Sequence, residues 1–224
     1  MSNGTAGVTG VGYLGPGCYG MARRGVWNSY REIGEVCAFM KRDSLDPSSK
    51  RFGRFDLDSK RVSIVAGLAL SDAGIATHST AESENVGMLA VNREGALRTN
   101  IEYFGDYLRS GRTLGRAILF IYTLPTSPLA EAAIHYGLRG PLVYAAREDC
   151  GEVFALRYAE TMLQDAVARV VAIVGDSDET TCFIVESLPQ GAGGVTPSVE
   201  ATTSLLAHTG GSPRERLEGI WKRQ

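Results

Sequence analysis

Runs of apolar residues alternate with amphipathic stretches along most of this chain, and the two periods separate strands from helices. Residues 8–13 form a short β-favouring run that stops at Gly15-Pro16-Gly17, a turn signal. Residues 86–91 (VGMLAV) are apolar almost without interruption, as in a strand covered on both faces. Further strands are predicted at 117–122, 141–146, 169–175 and 181–187.

Helical spacing fills the intervals. In 26–40, Trp27, Tyr30, Ile33 and Val36 share one face. Residues 58–74 read as a buried helix, with Asp58 or Ser59 as N-cap and Gly74 as its stop. Residues 95–111 form a helix anchored by Leu97, Ile101, Tyr103, Phe104 and Leu108. Ser127 caps a helix over 127–137 with Pro128 in its first turn, and another helix runs over 151–167. Residues 41–56 and 78–84 read as loops. Strands that alternate with helices in this way make layers of α/β type, with a mixed sheet and helices on both faces. Past Pro189 the composition shifts. QGAGG at 190–194 reads as a linker, followed by short amphipathic helices at 198–207 and 213–222, so we divide the chain into 1–189 and 190–224.

Composition narrows the function. The 224 residues carry 23 basic and 25 acidic side chains, a net charge of -2, which gives no electrostatic basis for binding nucleic acid or an anionic membrane. The basic clusters at 50–54 and 214–223 have acidic residues beside or within them and read as solvated surface. No apolar run approaches the ~18 residues of a membrane span, and no signal peptide is visible, so a cytoplasmic location is expected. The four cysteines, Cys18, Cys37, Cys150 and Cys182, are widely spaced, which argues against a zinc site and a disulfide scaffold. Gly10-Val11-Gly12-Tyr13-Leu14-Gly15 matches G-x-G-x-x-G, but Pro16-Gly17 follows at once where a dinucleotide-binding helix would begin. No cofactor is expected. Asp176, Asp178 and Glu179 offer carboxylates for a hard cation, but a solvated turn is the preferred reading, and no metal is expected.

The chemistry centres on 124–176. There a strand, a sharp turn containing Cys150 and a long helix follow one another, which sets a thiol at a helix N-terminus, where the dipole favours a thiolate. Glu148 and Asp149 oppose that effect by raising the thiol pKa, and Arg147 offsets one of them.

From Val8 to Pro189 the order of elements resembles the N-terminal half of the β-ketoacyl synthases, members of the thiolase-like superfamily. The resemblance rests on VTGVG, FGRFD, NVGMLAV, YTLPTS before AEAAIHYGLRGP, and RVVAIVGD after the central helix. It implies the N-terminal half of a layered thiolase-like fold, in which the turn before the central helix carries the acyl-accepting cysteine. Cys150 is the candidate. Counting in the family's spacing from Pro141, or back from RVVAIVGD without gaps, lands on Asp149 instead, and a one-residue bulge would bring Cys150 into the slot. The family's two catalytic histidines come from its second half. His78, His135 and His208 are the histidines here, and nothing after Pro189 resembles those motifs.

The resemblance implies a non-condensing accessory subunit of a fatty-acid or polyketide-type system, of the chain-length-factor kind. Its partners would be a second copy or a full-length ketosynthase, together with an acyl carrier protein. An apolar face normally covered by the other half is expected to be paired. The alternative is an acyltransferase of the 3-oxoacyl carrier-protein synthase type, accepting an acyl group on Cys150.

Overall fold

The computed structural model describes residues 5–42, 52–75, 85–113, 115–147, 151–164, 167–176, 178–189, 196–208 and 210–222, the side chains of 41, 42 and 176 excepted. Seven strands form one mixed sheet. They are β1 (Thr5–Gly15), β2 (Cys18–Met21), β3 (Val26–Ser29), β4 (Val86–Asn92), β5 (Leu142–Ala146), β6 (Arg169–Asp176) and β7 (Glu179–Leu188), in the order β3-β2-β1-β7-β6-β4-β5. β5, β4 and β6 run parallel; the remaining pairs are antiparallel. Pro16-Gly17 closes the β1–β2 hairpin. Gly17 takes φ 70°, where a β-carbon would be strained, and Gly15 faces Cys18 across the turn.

Helices cover both faces. On one, α2 (Leu57–Asp72) and α5 (Ser127–Tyr136) lie over the sheet, with α1 (Ile33–Arg42) beside α2. Ile64, Leu68, Leu129 and Tyr136 pack there against Met88, Val171 and Ile184. The G-x-G of β1 serves this layer. A β-carbon on Gly10 would come within 2.5 Å of the Ala73 nitrogen, and one on Gly12 would collide with Val65 O. The glycines therefore let α2 lie close on the strand, a packing role that a sequence match to a nucleotide motif does not distinguish. On the opposite face α6 (Gly151–Gln164) lies beside α7 (Val199–His208) and α8 (Pro213–Lys222). Leu156, Val199, Leu206, Leu217 and Ile220 share one core there with Val11, Phe183 and Val185. Seven strands at ~4.8 Å spacing make a sheet about 30 Å wide, more than one helix ~10 Å across can shield. The two C-terminal helices supply the missing cover.

Local expectations change in five places. Trp27 and Tyr30 belong to β3 and the turn after it, not to a helix; α1 starts at Ile33. The cap of α2 is Asp56, whose Oδ1 accepts from the Ser59 N–H at 2.9 Å, because that carboxylate also reaches Thr99. Thr126 is the N-cap of α5, and the Ser127 hydroxyl donates to Ile121 O at 2.5 Å. Residues 117–121 form a short helix, α4 (Ala117–Ile121), rather than a strand. Helix α3 (Leu97–Arg109) forms as expected, but Leu97, Ile101, Phe104 and Leu108 face solvent. An amphipathic helix needs a partner for its apolar stripe, and α4, the element α3 packs on, is itself exposed. Among the described residues no helix is long and apolar enough to cross a membrane. The loop expected at 78–84 and the linker at 190–194 lie outside the described residues.

Candidate functional site

The connections leaving β4 and β5 decide where a site can form. From the carboxyl end of β4 the chain passes to α3, α4 and α5, on the α2 side of the sheet. From the carboxyl end of β5 it passes to α6 on the other side. Adjacent parallel strands whose exits go to opposite faces leave a crevice between their carboxyl ends.

A cavity of about 200 Å³ occupies the α2 side of this crevice. Asn92, at the end of β4, organises it. Its Oδ1 accepts from the Gly95 N–H and the Tyr144 hydroxyl, both at 2.7 Å. Burial pushes the Tyr144 phenol above its ordinary pKa of 10.0, so it stays a neutral donor. Asp58 pairs with Arg98, and Thr99 Oγ1 donates to Asp56 Oδ2 at 3.0 Å, so the first turns of α2 and α3 are tied together. Arg61 pairs with Asp178 at 3.3 Å. Leu129 and Ile173 line the apolar part of the cavity. These polar groups bond to one another, and the described lining residues include no cysteine, histidine or serine.

On the other side of the crevice, α6 begins over the ends of β4 and β6. A β-carbon on Gly151 would lie 2.9 Å from Val174 Cγ1 and 3.8 Å from Val91 Cγ1. The Arg147 N–H donates to Asn92 O at 3.1 Å, and its guanidinium lies 4.8 Å from the centre of the Phe154 ring. Strand and helix thus follow in the expected order, but Glu148, Asp149 and Cys150, where the turn is expected, lie outside the described residues. Glu152, in the first turn of α6, pairs with Arg216 of α8 at 3.2 Å. Burial raises the Glu152 carboxyl above its ordinary value, Arg216 pulls it back, and the charge of Glu179 adds to the rise. Tyr13 is raised too, first by burial and then by Glu179, which accepts its hydroxyl.

The remaining candidates sit elsewhere. His135 is buried on α5 with its ring centre 4.6 Å from that of Tyr136. His208 Nδ1 lies 2.8 Å from Ser204 O. His78 falls outside the described residues. Cys182 is fully buried in β7, and burial pushes its thiol well above the ordinary value, while Cys18 and Cys37 are half-buried. Among the described residues no group of three or more His, Cys, Asp or Glu side chains could hold a metal. Asp178 instead meets Arg61 and Glu179 meets Tyr13; the side chain of Asp176 is not described. Sequence reasoning missed Asn92, Tyr144, Glu152 and Arg216. An asparagine between an apolar strand and a glycine is a local turn signal, but nothing local links Glu152 to a residue 64 positions away.

No protein-family model and no curated protein matches the sequence. Solved structures do. The ishigamide ketosynthase/chain length factor superposes with a TM-score of 0.56 at 17% identity, over 87% of this chain and 64% of that one. The ketosynthase (ApeO) in complex with its chain length factor (ApeC) from Xenorhabdus doucetiae gives 0.56 at 12%, over 83% of this chain and 80% of the matched one. The type II polyketide complex AntDE:AntF, an acyl-carrier protein with its ketosynthase, gives 0.56 at 13%, over 83% and 59%. This chain therefore spans less than two thirds of the length of the first and third. It has a thiolase-like, ketosynthase-like fold.

Proposed function

We propose that the chain is a ketosynthase-like subunit of a fatty-acid or polyketide-type biosynthetic system, without condensing activity of its own, working beside a complete ketosynthase as chain length factors do. The observation that carries this is the α3–α4 arm. Both sheet faces are covered from within the chain, yet Ile101, Phe104 and Phe120 are 63%, 59% and 60% exposed, with Ile118 and Ile121 beside them. The Tyr103–Phe120 ring contact at 5.7 Å joins the two helices into one apolar surface. β5 is the edge of the sheet, its outer row of N–H and C=O groups unmatched by any described strand. Exposed apolar surface and an open strand edge are each what a protein partner covers. Two of the matched structures are named as ketosynthases with chain length factors, and a third contains an acyl-carrier protein. On this reading, the apolar face expected from half of a duplicated fold is the one offered by the arm.

The alternative, acyl transfer through Cys150, is favoured by one observation: residue 150 immediately precedes the first residue of α6. One experiment separates the two. The protein and its Cys150→Ala variant are incubated with an acyl thioester donor and their intact masses measured, in parallel with gel filtration against a complete ketosynthase. We expect no added acyl mass and a complex with the ketosynthase. A stable adduct lost in Cys150→Ala would establish acyl transfer instead, and a strictly monomeric chain binding neither ketosynthase nor acyl carrier protein would remove the accessory reading.

A further inference from the structure

Helix α8 satisfies most of its polar groups within its own residues. Its N-terminus is a complete capping box: the Ser212 N–H donates to Glu215 Oε2 at 2.9 Å, and the Glu215 N–H donates to Ser212 Oγ at 3.3 Å. Pro213 opens the helix. Along its outer side Glu218 accepts from Arg214 at 2.8 Å and from Lys222 at 2.6 Å, both at i,i+4 spacing. The polar demands of α8 are met largely within α8.

Its attachment is mainly apolar: Leu217 and Ile220 are buried, and Trp221 packs half-buried against the same core. Across the contact, Arg216 meets Glu152 in the first turn of α6, and Arg214 sits 5.7 Å from the Trp27 ring at the rim. Helix α7 is held more firmly. A bridge joins Ser198 to Gly7, and the Val8 N–H donates to Pro197 O at 2.9 Å. Between the two helices stand Gly210 and Gly211, the latter at φ 123°. Two successive glycines there can absorb the backbone rotation of a hinge.

We propose that α8 is a strap. It hinges at Gly210-Gly211, closes over the start of α6 through an Arg216–Glu152 clasp, and on opening leaves the core and unwinds while the sheet and α7 stay folded. Beneath it lie Glu152, Glu179 and Tyr13, acidic groups from α6, β7 and β1, with Arg216 as the facing cation. Opening returns these groups to water and uncovers the first turn of α6. That this turn adjoins the acyl-accepting position rests on the ketosynthase-like reading; the strap itself does not.

Hydrogen exchange followed by mass spectrometry on the full chain tests this. In the wild type, amides in the last two turns of α8 should exchange faster than those of β6 and β7, since local opening precedes global unfolding. Arg216→Ala should raise α8 exchange about tenfold and leave β6 and β7 unchanged, because it leaves Glu152 buried without its cation. Arg216→Lys should restore part of the protection, and Lys222→Ala, which touches only the outer side, should leave the Leu217–Ile220 stretch within about twofold of wild type. Exchange of α8 in step with β7 in the wild type, or an unchanged α8 rate in Arg216→Ala, would overturn the strap. A failure to bind any ketosynthase would not touch it.

Discussion

Asp72 shows how much one buried side chain can organise. Its carboxylate accepts from the Val11 N–H at 2.8 Å and from the Arg23 and Arg24 N–H groups at 3.0 Å each, tying the end of α2 to β1 and to the β2–β3 turn. Arg23 and Arg24 lie in the turn between β2 and β3, and Val11 lies one residue beyond the last β1–β2 pair, Gly12 with Met21, so the carboxylate takes the place of a strand there. Removing the carboxylate strands one fully buried N–H and two partly buried ones. Asp72→Ala should therefore cost about 3 kcal/mol, and Asp72→Asn, which keeps one acceptor oxygen, about half of that. Urea denaturation measures both; a loss under about 1 kcal/mol in Asp72→Ala would mean that water replaces the carboxylate. Asn92 plays a comparable part at the cavity, where its single carbonyl oxygen holds both Gly95 and Tyr144.

Among the elements, the α3–α4 arm is the one whose sequence and surroundings disagree. Its apolar spacing is that of a buried helix, yet it is fastened at its two ends, through Thr99 to Asp56 and Arg98 to Asp58 at the start of α3 and through Ser127 to Ile121 O at the end of α4. The double variant Phe104→Asp, Phe120→Asp places charge in the middle of the exposed surface. It should abolish association with a ketosynthase and change folding stability by no more than about 0.5 kcal/mol, since neither side chain supports the core. Retained association, measured by gel filtration at matched concentration, would move the interface elsewhere. A large drop in melting temperature would show that the arm packs within the chain.

For the whole molecule, the buried acids set the response to pH. Burial raises Asp72 above its ordinary 3.8 and Glu152 above its ordinary 4.5. A carboxyl whose folded pKa exceeds its unfolded one favours folding most when protonated. That contribution is present in full below the unfolded value and is lost as pH rises through the folded one. Glu215 and Glu218 are lowered and act in the opposite sense; Glu215 is exposed, where solvent screens it, and the half-buried Glu218 offsets part of the effect. Melting temperature should therefore fall as pH rises above about 4, and Glu152→Gln with Asp72→Asn should flatten the slope. A slope unchanged in that double variant would assign the dependence to other groups.

The sequence determined by itself what local forces decide. These include the strand runs, the Pro16-Gly17 hairpin, most helices, and the order of strand, helix and strand around α6. Backbone propensity and apolar period act over a few residues, so a single chain displays them. Tertiary structure alone decided the rest. A β-favouring run at 117–121 became helical in a short link at the surface, where no neighbouring strand offers backbone bonds. The apolar stripe of α3 turned outward, because amphipathicity states that a face needs covering but not what covers it. The clasp of Glu152 with Arg216, and the closing of the second sheet face by α7 and α8, join residues far apart in the chain, whose proximity only the folded sheet creates.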